Sequence, residues 1–127
     1  MDHNDILASL FAIVDEIMEC GQDKLTGRTR VMQDLACESI DLLEIGARIA
    51  QAFRIRVDDD AMFLLSLRAK VEAAGESAGK AAVISKAYPW LAPERVQEMA
   101  SLLGEGTPLL CLDDIAAYVA YFRTASE

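Results

Sequence analysis

Aromatic residues, prolines and histidines are scarce in this sequence of 127 residues. Phe, Trp and Tyr make up 6% of it, and it contains three prolines and one histidine, His3. Its apolar content of 53% comes mainly from Ala, Leu and Ile, and long β-branched runs are few. Ala and Leu favour helices over strands. The composition therefore predicts an all-α protein, and the length suits one domain over residues 1–127.

Cysteine is sparse as well, and its placement excludes two common site classes. Cys20, Cys37 and Cys111 show no metal-ligand spacing with His3, and their odd number does not suggest a disulfide framework. We interpret them as reduced thiols of a cytosolic protein, with Cys37 as a small apolar residue rather than a reactive thiol. No catalytic cluster is evident in the sequence, which argues against an independent enzyme.

Long hydrophobic runs are missing too. The apolar stretch at 61–67 is far too short to span a bilayer. The N-terminus is acidic and polar, unlike a secretory signal peptide. We therefore expect a cytoplasmic protein without membrane insertion.

Bases are outnumbered by acids, 12 to 21, which gives a net charge of -9. Such a surface repels phosphate backbones and disfavours nucleic acid as a partner. Residues 1–60 hold 13 of the acids but only 6 of the bases. The first half of the chain is thus expected to attract proteins that present basic patches.

Apolar periodicity predicts helices over 5–20, 40–53, 60–74, 81–87 and 93 to about 103, and a last helix that starts at Asp113 or Asp114. Asn4 or Asp5 is predicted to cap the first helix and Gly21 to end it. Residues 21–38 are predicted to form a long loop, 75–80 a surface linker and 106–108 a turn. In the second helix, one stripe is apolar and suited to a core: Leu42, Ile45, Ile49 and Phe53.

The segment most informative about function is 34–45, Asp-Leu-Ala-Cys-Glu-Ser-Ile-Asp-Leu-Leu-Glu-Ile. Its Glu-Ser-Ile-Asp core, Glu38 to Asp41, follows a long loop and opens an amphipathic helix. In this setting the segment resembles the signature of the acyl carrier protein family. The resemblance continues through Phe53 and Val57 and returns at 112–119, so that it covers residues 4–60 and 109–122.

This resemblance implies a four-helix bundle with extra helices inserted at about 61–111. It implies that a phosphopantetheinyl transferase attaches 4′-phosphopantetheine to Ser39, and that acyl groups are carried on this arm as thioesters. The protein would then be a monomeric, non-catalytic carrier. Its partners would be enzymes that transfer or elongate acyl groups in fatty-acid or specialised lipid biosynthesis.

The resemblance also implies a docking surface around Ser39. Glu38, Asp41 and Glu44 would meet Lys or Arg on basic patches of partner enzymes, and Ile40, Leu43 and Ala47 would supply apolar contact. The chain departs from the family further along the helix, where more acidic residues are usual and this sequence has Arg48, Arg54 and Arg56. This departure favours a dedicated set of partners.

Several alternatives stay open. Ser39 could be a helix N-cap with no further function, because serine is favoured there. The carried group could be an aminoacyl or polyketide-type group, or the chain could be an unmodified helical interaction module. The insertion could widen a cavity for the acyl chain, or it could form a docking surface for a dedicated acyltransferase.

Overall fold

Helices make up the regular secondary structure in the described part of a computed structural model, which confirms the predicted all-α class. The structure describes residues 2–75, 77–106 and 108–126, with side chains in the last helix up to Arg123. The helices are α1 (His3–Met18), α2 (Ser39–Phe53), α3 (Asp59–Met62), α4 (Leu67–Ala74), α5 (Lys80–Ala87), α6 (Pro93–Leu102) and α7 (Leu112–Ser126). Two short 3₁₀ turns lie at Gln22–Lys24 and Leu103–Glu105.

Helix α1 starts and ends earlier than predicted. Its N-cap is Asp2, whose carboxylate accepts from the N–H of Asp5 at 2.9 Å, while the Asp5 carboxylate accepts from the N–H of Asp2 at 3.3 Å. This reciprocal pair of hydrogen bonds satisfies the N–H groups of Asp2 and Asp5, which a cap at Asn4 would leave exposed to solvent. The helix ends before Glu19, which adopts a left-handed conformation with φ 54°, and the predicted end at Gly21 is wrong.

Helix α2 follows the prediction closely, since it begins at Ser39 instead of residue 40 and ends at Phe53. Its predicted apolar stripe is buried: Leu42, Ile45, Ile49 and Phe53. Helix α1 packs against both α2 and α7, and α3 contacts α2 and α7. The buried apolar side chains of all these helices form one cluster, with Ile6, Leu10, Ile115 and Val119 among its least exposed members.

The single helix predicted over 60–74 is wrong, because the chain turns between α3 and α4. Leu64 adopts a left-handed conformation with φ 56°, which a right-handed helix cannot include. The turn lets Phe63, Leu64 and Leu67 all be buried. Leu65 is turned outward and is 56% exposed.

Helices α4, α5 and α6 pack on one another in sequence order. The predicted short helix at 81–87 is confirmed as α5, and Pro93 lies in the first turn of α6, where its missing N–H costs nothing. Residues 77–79 of the predicted linker are non-helical, and Glu76 lies outside the described residues. Thr107, in the turn predicted at 106–108, also lies outside them.

A buried ion pair joins α6 to α7. The Asp114 carboxylate, with 1% exposure, accepts from Arg95 Nε at 2.9 Å and from Arg95 Nη2 at 2.8 Å. It also accepts from the N–H of Cys111 at 3.0 Å, and Arg95 Nη2 donates to the Leu109 carbonyl at 2.8 Å. Burial opposes the charge of Arg95, but the hydrogen bonds and attraction of Asp114 outweigh it and raise the pKa of Arg95.

We predict that Asp114→Ala lowers the free energy of unfolding by about 3 kcal/mol, because it removes the buried carboxylate partner of Arg95, whose guanidinium then keeps its contacts with Glu98 and the Leu109 carbonyl. Arg28→Ala is the control, since Arg28 is 62% exposed in its pair with Glu98 and an exposed pair contributes at most about 1 kcal/mol. Urea unfolding followed by circular dichroism measures both. Equal losses in the two variants would contradict the prediction.

Candidate functional site

Ser39 is the first residue of α2 and is exposed to solvent. The N-cap of this helix is the preceding residue, Glu38, so the interpretation of Ser39 as the N-cap is wrong. Among the described residues, none forms a hydrogen bond with the Ser39 hydroxyl. The side chain of Ser39 is therefore accessible from solvent.

Asp41 organises the start of the helix. Its Oδ2 accepts from the N–H of Glu38 at 2.9 Å, one of the donors that a helix start leaves unpaired. The side chain is half-buried, and its negative charge lies at the positive end of α2. Asp41 thus holds the backbone around Ser39, which limits its availability to the partner enzymes predicted to contact it.

The loop that leads to Ser39 is held by its own backbone and by the segment before α7. The N–H of Val31 donates to the Leu110 carbonyl at 3.1 Å, and the N–H of Cys37 donates to the Val31 carbonyl at 3.3 Å. Leu25 and Val31 are buried in the core. The last step before α2 uses a left-handed residue, Ala36, with φ 54°. Long loops are usually mobile, but this one is anchored at several points.

Two large apolar side chains next to Ser39 point into solvent. Ile40 is 71% exposed and Leu43 is 61% exposed, and both belong to the first turns of α2. Ala47, one turn further, is also exposed. We call Ile40, Leu43 and Ala47 the α2 patch. The structure thus brings together the apolar residues that the sequence predicted for partner contact.

The acidic residues predicted for partner contact differ in their surroundings. Glu38 and Glu44 are exposed. Glu44 lies 3.4 Å from the guanidinium of Arg48, which also forms an ion pair with Glu16 of α1. Arg48 therefore reduces the negative charge of α2 and ties this helix to α1.

Cys37, two residues before Ser39, is half-buried against the core. Burial, with smaller contributions from Asp41 and Cys20, raises the pKa of its thiol to about 11. A thiol with such a pKa stays protonated near neutral pH and is a poor nucleophile. This supports its interpretation as a packing residue.

One pocket near this loop could not be predicted from the sequence. It has a volume of about 230 Å³ and is mainly apolar. Its walls come from the turn between α3 and α4, from the segment before α7, and from Met32 of the loop. Phe63, Leu67 and Leu109 are among the side chains that line it. No sequence pattern indicated it, because it depends on the left-handed turn at Leu64.

Other site classes find no support in the ranges 2–75, 77–106 and 108–126. No group of three or more His, Cys, Asp or Glu residues there could hold a metal ion. Nor is any helix in those ranges both long and apolar enough to cross a bilayer. Comparisons with protein-family models, with curated proteins and with solved structures find no match for this chain.

We predict opposite effects on stability of Ala→Gly in the loop before Ser39 and near the end of α2. Ala36→Gly should raise the free energy of unfolding by up to about 1 kcal/mol, because glycine adopts the left-handed conformation without strain. Ala52→Gly, at an exposed position within α2, should lower it by about 0.5–1 kcal/mol. Thermal or urea unfolding measures both changes. A loss of stability in Ala36→Gly would contradict this account of the loop.

Proposed function

We propose that this chain is an acyl carrier protein that holds its cargo on a 4′-phosphopantetheine arm attached to Ser39. The proposal rests on the exposure of Ser39 and on its position in the chain. This residue is exposed, has no hydrogen-bond partner among the described residues, and opens a long amphipathic helix within a Glu-Ser-Ile-Asp motif. An accessible hydroxyl of this kind suits modification by another enzyme.

The surroundings of Ser39 fit a phosphodiester. The first N–H groups of a helix lack intrahelical partners and carry partial positive charge, which suits an attached phosphate. Helix α2 has 15 residues, so its dipole is well developed. Ser39 would hold the arm, the first turn of α2 would stabilise the phosphate charge, and the anchored loop would fix the attachment point.

The packing of the helices is compatible with the family bundle. Helix α1 contacts α2 and α7, and α3 contacts α2 and α7. The resemblance covers α1, α2, the start of α3 and most of α7. Helices α4, α5 and α6 form the insertion between them. We propose that α1, α2, α3 and α7 form the carrier frame, and that the insertion serves a more specialised role.

A carrier of this kind supplies position and not catalysis. The terminal thiol of the arm supplies the thioester linkage to the acyl group. This chain holds the phosphate end at Ser39 and presents the α2 patch to partner enzymes, so the cargo reaches their active sites at a high effective concentration. Those partners include a phosphopantetheinyl transferase and enzymes that transfer or elongate acyl groups in lipid biosynthesis.

We further propose that the pocket between the α3–α4 turn and the segment before α7 shelters part of the acyl chain. Met32 lines the pocket. The residue before it, Val31, accepts at its carbonyl a hydrogen bond from the N–H of Cys37, and Cys37 lies two residues before Ser39. The volume of about 230 Å³ is below the roughly 300–1,000 Å³ usual for small-molecule sites. It would therefore hold the end of an acyl chain and not a whole lipid.

A chemical-shift comparison of holo protein loaded with acyl groups of increasing length tests this shelter. We expect the largest shifts at pocket residues such as Phe63, Leu67 and Leu109, because an entering chain displaces solvent and alters their packing. Ala52, exposed on α2, is the reference position and should shift little. Shifts confined to exposed residues of the insertion would favour its role as a docking surface for a dedicated acyltransferase.

The carrier proposal itself is tested by intact mass after incubation with coenzyme A and a broad-specificity phosphopantetheinyl transferase. The Ser39 oxygen attacks the phosphorus bound to pantetheine, the pyrophosphate bond breaks, the hydroxyl proton passes to solvent, and 3′,5′-ADP leaves. We expect one phosphopantetheinyl addition in the unchanged chain and none in Ser39→Ala. Cys37→Ala is the matched control and should take up one addition.

Absence of the addition with several transferases would contradict the proposal. It would favour the alternative of an unmodified helical interaction module that uses the α2 patch. An addition that persists in Ser39→Ala would place the attachment elsewhere. Carriage of an aminoacyl or polyketide-type group is distinguished by the identity of the group found on the arm in protein isolated from cells.

A further inference from the structure

We infer that the chain binds a medium-length aliphatic carboxylate, with its apolar part in the pocket between the α3–α4 turn and the segment before α7 and its carboxylate at Arg68 and Lys80. The inference concerns the charged end of the site, and binding does not require a group attached to Ser39. A free fatty acid and the far end of a tethered acyl group both offer this chemistry, and the second source rests on the proposed function.

The apolar pocket contains a cation. Among the described residues that line it, Arg68 is the charged one, and the rest are apolar side chains such as Phe63 and Leu109 or glycine and proline. A mainly apolar cavity with one charged group on its wall is typical of a ligand site, because the charged group orients a ligand that apolar contacts hold.

Arg68 also lines a second cavity, of about 180 Å³, which lies between α4, the start of α5 and the 3₁₀ turn at Leu103–Glu105. Lys80, the first residue of α5, is another of its lining residues, and Val71 and Leu103 add apolar walls. Arg68 is therefore shared by an apolar cavity and by one that contains a second cation.

The position of the Arg68 guanidinium is fixed by a hydrogen bond. Its Nη1 donates to the carbonyl of Leu103, a residue that lines the second cavity. Because Arg68 lines the apolar pocket as well, a ligand whose chain fills that pocket can place its end group at the guanidinium. The planar guanidinium matches a carboxylate, which it can bind through two parallel hydrogen bonds.

The charges at the second cavity fit a ligand with one negative charge. Its lining residues include two cations, Arg68 and Lys80, and one acid, Glu72. Lys80 is exposed and forms no ion pair with another described residue. A carboxylate balances the net positive charge of these three side chains, whereas a phosphate monoester carries about -1.5 to -2 near neutral pH and would exceed it.

The size of the apolar pocket sets the length of the chain that it can hold. Its volume is about 230 Å³. A methylene group takes up about as much space as a water molecule in the liquid, roughly 30 Å³, so the pocket holds about seven or eight carbons. Octanoate is therefore the probe of choice.

Titration of the unmodified chain with octanoate, followed by NMR chemical shifts, tests the inference. The matched ligand is 1-octanol, which has the same chain and no charge. Arg68→Gln and Lys80→Gln each remove one cation from the site. Lys70→Gln is the control, because Lys70 is exposed on α4 and is not among the residues that line the two cavities. Circular dichroism checks that each variant is folded.

We expect octanoate to bind with a Kd of about 1 mM or lower, and at least about tenfold more tightly than 1-octanol, because hydrogen bonds between charged groups are the stronger ones. Arg68→Gln should weaken octanoate binding by about tenfold, and Lys80→Gln by about two- to threefold because Lys80 is exposed. Neither substitution should change the affinity for 1-octanol. Lys70→Gln should match the unchanged chain with both ligands.

Several results would overturn the inference and leave the carrier proposal standing. One is absence of octanoate binding, or equal affinity of the unchanged chain for octanoate and 1-octanol. Another is an equal loss for both ligands in Arg68→Gln, because the bond to the Leu103 carbonyl would then account for the arginine. Tighter binding of octyl phosphate than of octanoate would overturn the assignment to a carboxylate.

Salt dependence supplies a test that does not need the Arg68 variant to fold. The Kd of octanoate should rise several-fold between about 0.1 M and about 1 M NaCl, because salt screens the exposed charge of Lys80, while the Kd of 1-octanol should not rise. A Kd of octanoate that does not change with salt, together with an unchanged Kd in Lys80→Gln, would contradict the inference.

Competition identifies the source of the carboxylate. The holo chain is loaded with an acetyl group, or with an octanoyl group that bears a carboxyl at its far end, and each form is titrated with octanoate. If the carboxyl-bearing group alone blocks octanoate, the site belongs to the tethered cargo. If octanoate binds equally to both forms, the site belongs to a free fatty acid.

Discussion

The Asp114 carboxylate is the point on which the rest of this structure depends. It has 1% exposure and accepts three hydrogen bonds, two from Arg95 of α6 and one from the N–H of Cys111. Since an unpaired buried charge is very costly, α6 and the segment before α7 must stay in place together. That segment in turn accepts, at the Leu110 carbonyl, a hydrogen bond from the N–H of Val31 in the loop that precedes Ser39. The site on one helix is thus held by an ion pair between two others.

This dependence gives helix α6 a structural role that its position in the sequence does not suggest. Arg95 of α6 satisfies a buried carboxylate of α7, although the two residues are 19 positions apart. The Arg95–Asp114 pair therefore holds α6 against α7.

The sequence predicts what local periodicity determines and misses what depends on distant partners. The buried stripe of α2 and the start of α6 at Pro93 follow from spacing and from backbone chemistry, so both were predicted. The left-handed turn at Leu64 was missed, because leucine carries no turn signal and adopts this conformation only where burial of its neighbours compensates the strain. The Arg95–Asp114 pair was missed because nothing in either local sequence indicates the other residue. The position of Ser39 between a long loop and an amphipathic helix, by contrast, is a local property, and the sequence predicted it correctly.

Net charge is a property of the whole chain, and the charge around one site can differ from it. A chain of -9 predicts attraction of basic partners, but attraction between exposed charges fades within about 10 Å at moderate salt, so docking depends on the charges near the contact. Along α2, Arg48 lies within 3.4 Å of Glu44 and also binds Glu16, so positive charge is built into the surface around Ser39. The remaining acids can still speed the first encounter, because long-range steering does not require them to touch the partner. Among the described residues, the large apolar side chains of α2 that are exposed beside Ser39 are Ile40 and Leu43.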